Sequence, residues 1–490
     1  MESKSEDPQA ATQNFGDEKV EETILLEESK KTKKFRINPP MGKVNKIITN
    51  GVLGVLFCVI IWSYTGREVF PGGNLFGMLI IFYCALIGGN LLHLIKIPLV
   101  PPLPPLLGML LAGFILRNTP VLRDYIYINQ SWSSNLRNTA LTIILVRAGL
   151  GLDPQALQKL KGVCLRLSMG PCCVEACSAA VFSHFIMKFP WKWGFLLGFV
   201  LGAVSPAVVV PSMLLLQEQG YGVKKGIPTV LIAASSFDDI LAITGFNTFL
   251  TITYSSGPVY WIIIMSFFEI ILGVSAGIII GYFLRYFPSS DQHIVAWKRA
   301  FLLMGTSIVA VIGSNRIGLH AAGGLAAIVL TFVSAIQWDH EKVKVQKIIA
   351  GTWQIFQPLL FGLVGAEVSV ANLESNTIGI CVGTLSLSLL ARIFVTFLLV
   401  CFAGFSFKEK IFVALAWIPK ATVQAVLGPL ALEAGRSKNL THLEVYAKNV
   451  MTMAFLAILI TAPNGALLIG LVGPKVLSLD KPEEAGEIIS

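Results

Sequence analysis

Residues Thr229–Leu250, TVLIAASSFDDILAITGFNTFL, place two adjacent aspartates in the middle of a segment otherwise long and apolar enough to cross a bilayer. A charged side chain at that depth costs about 2.5–3.5 kcal/mol on insertion scales, so it is seldom there without a task. Successive helical side chains point about 100° apart, so Asp238 and Asp239 can border one cavity, with Ser235 one turn before Asp239 on its face. This hard-oxygen nook suits a small cation. Two carboxylates in a poorly solvated site resist ionising together, so a proton and a metal cation compete for one place. Ser235 with Asp238, or Ser236 with Asp239, also matches the S-x-x-D spacing that starts helices. Capping would put the pair in a loop, whereas apolar residues run on from Val230 to Ala234 and from Ile240 to Leu250, which favours the interior reading.

The chain around this segment has 490 residues, 54% hydrophobic and only 14% charged, which excludes an ordinary soluble domain and implies an all-α polytopic membrane protein. Its net charge of +9 is not accompanied by a basic helix or an aromatic RNA-binding motif, so no nucleic acid partner is expected. Apolar runs begin near Asn45, Asn74, Leu99, Leu136, Val163, Trp193, Ile227, Val259, Ala300, Ala321, Trp353, Ile378, Ile411 and Val450, predicting about fourteen transmembrane helices. Residues 1–40 are polar, lack the apolar core of a signal peptide, and are expected to be a disordered cytoplasmic tail.

Basic residues set the expected orientation. Lys30, Lys31, Lys33, Lys34, Arg36, Lys43 and Lys46 precede the first span, placing the N-terminus in the cytoplasm. Alternation then makes cytoplasmic the loops with Lys159 and Lys161, Lys224 and Lys225, Arg285 and Lys298, Lys342 and Lys344, and Lys408 and Lys410, together with the C-terminal tail. The sequons at Asn129 and Asn439 fall on the opposite face, as a glycoprotein requires. The 8 cysteines lie in or beside apolar spans, so no disulfide framework is implied; Cys172, Cys173 and Cys177 beside Glu175 match no zinc spacing.

The spans divide as an additional N-terminal helix at 41–66, a first set of six at 73–253, a linker helix at 258–286 and a second set of six at 297–473, with a tail at 474–490. Equal sets predict two inverted six-helix repeats. The fifth span of each set is interrupted: GAVSPAVVVPSML carries Pro206 and Pro211, and WIPKATVQAVLGP carries Pro419 and Pro429. Proline removes an amide and displaces the carbonyl four residues earlier, so Gly202, Ala207, Leu415 and Ala425 are expected to lose helical partners. Unwound backbone at membrane depth is tolerated where it lines a cavity or is buried in protein, so two crossing broken helices are expected. Freed carbonyls at Gly202, Ala203 and Val204, with Ser205, would complete the shell of a cation on Asp238 and Asp239, and Lys420 would balance the carbonyl ends. The fourth spans pair Glu175 with Arg392 at comparable depth, a candidate ion pair beside the aspartates. An arginine stays protonated and carries no proton, which points to one proton per monovalent cation. Glu269 and Arg147 are intramembrane charges without an assigned partner at this level.

SSFDDI, SPAVVVP, IPKATVQAVLGP and the charged fourth spans together resemble the monovalent cation/proton antiporter superfamily over nearly all of the chain after Pro40, and within it the animal NHA branch of sodium/proton exchangers. The resemblance implies that Asp238 and Asp239 are the ion-binding pair, that the interrupted spans cross beside them, and that the protein is a homodimer with the additional first helix at its interface. Bacterial relatives with an aspartate pair carry a lysine where Arg392 stands here, so their electrogenic exchange does not transfer. The expected function is exchange of sodium or lithium for protons by alternating access at the plasma membrane, with an endosomal or mitochondrial membrane as alternative sites. No cofactor is expected, the ions being transported substrates, and lipids surround the protein. A sodium-coupled organic solute symporter is the competing reading. No nucleophile with an oriented histidine and no nucleotide-binding loop supports an enzyme.

Overall fold

The computed structural model describes residues 42–94, 103–123, 125–126, 128–152, 154–255, 257–289, 291–319, 321–369, 375–438 and 440–479. The expected tail at 1–40, the span start at Leu99, the sequon residue Asn439 and residues 480–490 of the expected C-terminal tail lie outside them. Among the described residues there is no strand, only an isolated antiparallel bridge between Tyr221 and Leu479.

The chain divides into two units, Met1–Val69 and Phe70–Ser490. The first contains α1 (Lys43–Thr65), an unbroken apolar helix followed by a short 3-10 turn. The second opens with α2 (Asn74–Leu94), α3 (Pro105–Asn118), α4 (Gln130–Gly151), α5 (Pro154–Ile186), α6 (Trp191–Gly202), α7 (Pro206–Glu218) and α8 (Ile227–Tyr254). After α9 (Val259–Tyr286) come α10 (Val295–Arg316), α11 (Ala322–Ala335), α12 (Asp339–Glu367), α13 (Ser375–Val400), α14 (Phe407–Ala416), α15 (Thr422–Ser437) and α16 (Glu444–Val476). Helix α16 continues past the boundary expected at residue 473.

Among the described residues, 10 segments are long and apolar enough to cross a membrane, counting the interrupted run Trp191–Glu218 as one. The remaining segments of the expected fourteen, α3, α4, α11 and the α14–α15 pair, are helical but shorter or more polar.

Both fifth spans are interrupted, each at one proline rather than two. Ala203, Val204 and Ser205 separate α6 from α7, with Pro206 in the first turn of α7 and Ser205 extended at φ −90°, ψ 111°. A proline disfavours helical backbone in the residue before it, while its fixed φ and missing amide fit a helix start. Residues Trp417–Ala421 separate α14 from α15 and contain Pro419. Pro211 and Pro429 instead sit inside α7 and α15, so the helix continues through Ala207 and Ala425 despite the lost bond. Helix α14 begins with a capping box between Ser406 and Glu409.

Small residues bring helices together around the breaks. A Cβ on Gly198 of α6 would stand 2.3 Å from the carbonyl oxygen of Ala176 on α5, so only glycine allows that approach. The same holds where Gly113 of α3 meets the backbone of Gly362 on α12. The main apolar core runs through α4, α6, α8, α12, α15 and α16.

Candidate functional site

The two interruptions meet. The backbone amide of Ser205 donates to the carbonyl of Pro419 at 2.8 Å, and the hydroxyls of Ser205 and Thr422 lie 3.4 Å apart. Gln424, on the first turn of α15, donates its side-chain amide to the carbonyls of Val200 at 3.0 Å and Ala203 at 2.9 Å. A polar side chain of one break thus serves the backbone freed by the other. Gln424 escaped the sequence reading, although a lone glutamine in an apolar span between Pro419 and Pro429 was its signal; the structure buries it fully.

Five charged side chains converge here, all essentially buried: Glu175, Asp238, Asp239, Arg392 and Lys420. Arg392 of α13 forks between Glu175 and Asp238, with Nη2 at 2.8 Å from Asp238 Oδ2, and also donates to the Gly202 carbonyl. The Lys420 ammonium lies 2.8 Å from both Glu175 oxygens and donates to the Leu201 carbonyl. The Glu175–Arg392 pair expected from sequence is therefore part of a larger network with Lys420 and Asp238. Its partners make desolvation of these charges tolerable.

The two aspartates differ. Asp238 Oδ2 accepts from the Val204 amide at 2.7 Å as well as from Arg392. Asp238 Oδ1 and both oxygens of Asp239 are buried with no hydrogen-bond partner among the described residues. The Gly202 and Ala203 carbonyls are occupied by Arg392 and Gln424, and Val204 contributes its amide to Asp238. Ser235 is fully buried, its hydroxyl donating to the Ile232 carbonyl at 2.9 Å. No group of three or more His, Cys, Asp or Glu side chains fit for a bound metal occurs among the described residues. Among the carboxylates of the site, the oxygens that no cationic or amide group of the described residues approaches are Asp238 Oδ1 and both oxygens of Asp239; the Gln424 Oε1 oxygen is also buried without a donor.

Asp239 lies between two cavities. One, of about 570 Å³, is lined along α8 by Ile243, Asn247 and Leu250. The other, of about 240 Å³, is lined by Ile232 and Ser236 of α8 with Pro206 and Thr422. Residues 232, 236, 239, 243, 247 and 250 follow helical spacing, so one stripe of α8 passes from one cavity to the other with Asp239 in its middle. Arg147 lines the smaller cavity and lies over the Trp353 ring at 5.4 Å. Glu269 accepts from the Ala321 amide at 2.8 Å, at the start of α11. Both charges thus have partners that spacing alone did not reveal. Asn129 caps α4, accepting from the Ser131 amide at 3.2 Å.

Two interrupted helices meeting at membrane depth over a buried, partly unsatisfied carboxylate pair define a secondary ion transporter. The chain belongs to the sodium/hydrogen exchanger family, whose transmembrane model matches residues 79–472. It is 62% identical over 472 residues to human sodium/hydrogen exchanger 9B1, covering 96% of this chain and 92% of that protein. It is 58% identical over 456 residues to mouse sodium/hydrogen exchanger 9B2, covering 93% of this chain and 83% of that one. The fold is similar to that of the sodium proton antiporter MjNhaP1 from Methanocaldococcus jannaschii, with a TM-score of 0.64 at 19% identity over 82% of this chain and 99% of that chain. Family membership supports cation/proton exchange over sodium-coupled solute symport.

Proposed function

We propose that the protein exchanges sodium or lithium for protons by alternating access, one for one, at the aspartate pair. The observation that carries this reading is Asp239: a buried carboxylate with both oxygens unpartnered, set between two cavities on one helical stripe. A bare carboxylate there is costly, so the site is stable when a cation or a proton occupies it. With all groups ionised, three carboxylates face two fixed cations, leaving one negative charge for either occupant to neutralise. Arg392, held by Glu175, Asp238 and the Gly202 carbonyl, keeps its proton throughout. Substitution of either ion for the other then moves no net charge.

The proposed cation ligands are Asp239 and the open Asp238 oxygen, with Ser235 and Ser205 as neighbouring hydroxyls and the carbonyls of the first break offering second lone pairs. Glu175, Arg392 and Lys420 hold the breaks in register. The two helix sets flanking α9 act as inverted repeats, with the broken helices, α5, α8, α13 and α16 moving against the remainder. The protein works as a homodimer joined through α1, in the plasma membrane, with both termini in the cytoplasm and Asn129 on the opposite face.

The test is proton flux driven by a sodium or lithium gradient in proteoliposomes. Asp238→Asn and Asp239→Asn are each expected to abolish it; near-parental flux in both variants sinks the assignment.

A further inference from the structure

A separate cavity of about 260 Å³ lies at the end of the molecule that carries Asn129, away from the aspartates. Its walls bring together Arg117 at the end of α3, Arg123 just beyond it, and Arg436 near the end of α15. None of the three guanidinium groups makes a hydrogen bond or ion pair among the described residues, and Arg117 Nε is buried without an acceptor. The single carboxylate in the wall, Glu367, lies 3.8 Å from the fully buried Arg137, which also pairs with Glu433. Glu367 is thus shared with a fourth arginine behind the cavity. Asp124, next to Arg123 in the chain, lies outside the described residues.

Guanidinium groups present fixed forks of donors that match oxyanions two bonds at a time. Leaving a buried guanidinium N–H unpaired costs the desolvation of that donor. Gln130 and Ser133, both in the first turn of α4, also line the cavity, so the positive end of a 22-residue helix adds to the field. The volume holds roughly nine waters at about 30 Å³ each, room for a hydrated phosphate group.

We propose that this cavity binds an oxyanion of the phosphate type, either free or as the headgroup of an anionic phospholipid. The bound anion joins Arg436 of α15 to Arg117 of α3 and so links the second interrupted helix to a helix outside the ion site. Occupancy stabilises the arrangement described above.

The test uses the full-length protein in neutral detergent, its thermal unfolding followed while inorganic phosphate or a short-chain phosphatidic acid is titrated at constant ionic strength in sodium chloride. Saturable stabilisation by phosphate identifies a free-anion site, and stabilisation by phosphatidic acid alone identifies a headgroup site. Arg117→Gln is expected to raise the half-saturating concentration about tenfold or more, the scale of one charged hydrogen-bonding partner lost. Arg123→Gln, at an exposed position, gives the same direction of change and serves if Arg117→Gln does not fold. Absence of stabilisation by both probes, or an unchanged titration in both variants, overturns the proposal.

Discussion

Asp239 and Asp238 are neighbours in sequence, yet their surroundings assign them different work. Asp238 is bound into the frame by Arg392 and the Val204 amide, whereas Asp239 has no hydrogen-bond partner among the described residues. Removing the charge of Asp239 should therefore relieve a desolvation cost, while neutralising Asp238 breaks a buried network. Asp239→Asn is expected to unfold at or above the parental temperature while losing exchange, and Asp238→Asn to unfold several degrees lower; thermal unfolding in detergent separates them. Gln424→Leu would leave the Val200 and Ala203 carbonyls without their donor, at a cost of about 1–3 kcal/mol for each buried group orphaned. It is expected to lower both the unfolding temperature and the sodium-driven proton flux, although Gln424 makes no hydrogen bond to either aspartate.

At the scale of helices, the site depends on how closely α5 and α6 approach. Glu175 rides on α5 and the Leu201 and Gly202 carbonyls end α6, so the Gly198–Ala176 contact sets their separation. Gly198→Val is expected to cost about 1–3 kcal/mol by overpacking and to reduce exchange, because the Arg392 and Lys420 bridges would be stretched. Gly379→Ala on α13, where a Cβ meets nothing within 4 Å, should leave both unchanged. Unfolding temperatures and flux assays on the two variants decide it. The prolines teach a related lesson: Pro206 and Pro419 stand at breaks, while Pro211 and Pro429 are absorbed within helices. Proline alone does not dictate unwinding. It does so where side chains such as Gln424, Lys420 and Arg392 are placed to receive the freed backbone.

For the whole molecule, the proposed mechanism sets three buried carboxylates against two fixed cations, so the single excess negative charge accepts one cation or one proton and the loaded site crosses without net charge. A membrane potential of about 100 mV acts on one transferred charge with about 2.3 kcal/mol, enough to change a limiting step more than tenfold. Imposing such a potential on proteoliposomes is expected to leave the exchange rate unchanged. A rate that follows the voltage contradicts the one-for-one balance.

The chain itself determined the membrane class, the interrupted fifth spans and the residues of the buried charge cluster, because apolar runs, prolines and charges at membrane depth carry large free energies that local composition exposes. Only the tertiary structure decided which carbonyls those charges satisfy, that Gln424 bridges the breaks, that Asp239 is the unpartnered carboxylate, and that Arg147 and Glu269 have partners on distant helices. These contacts join residues far apart in sequence, and the spacing along one helix constrains which face a side chain occupies but not which neighbour meets it there.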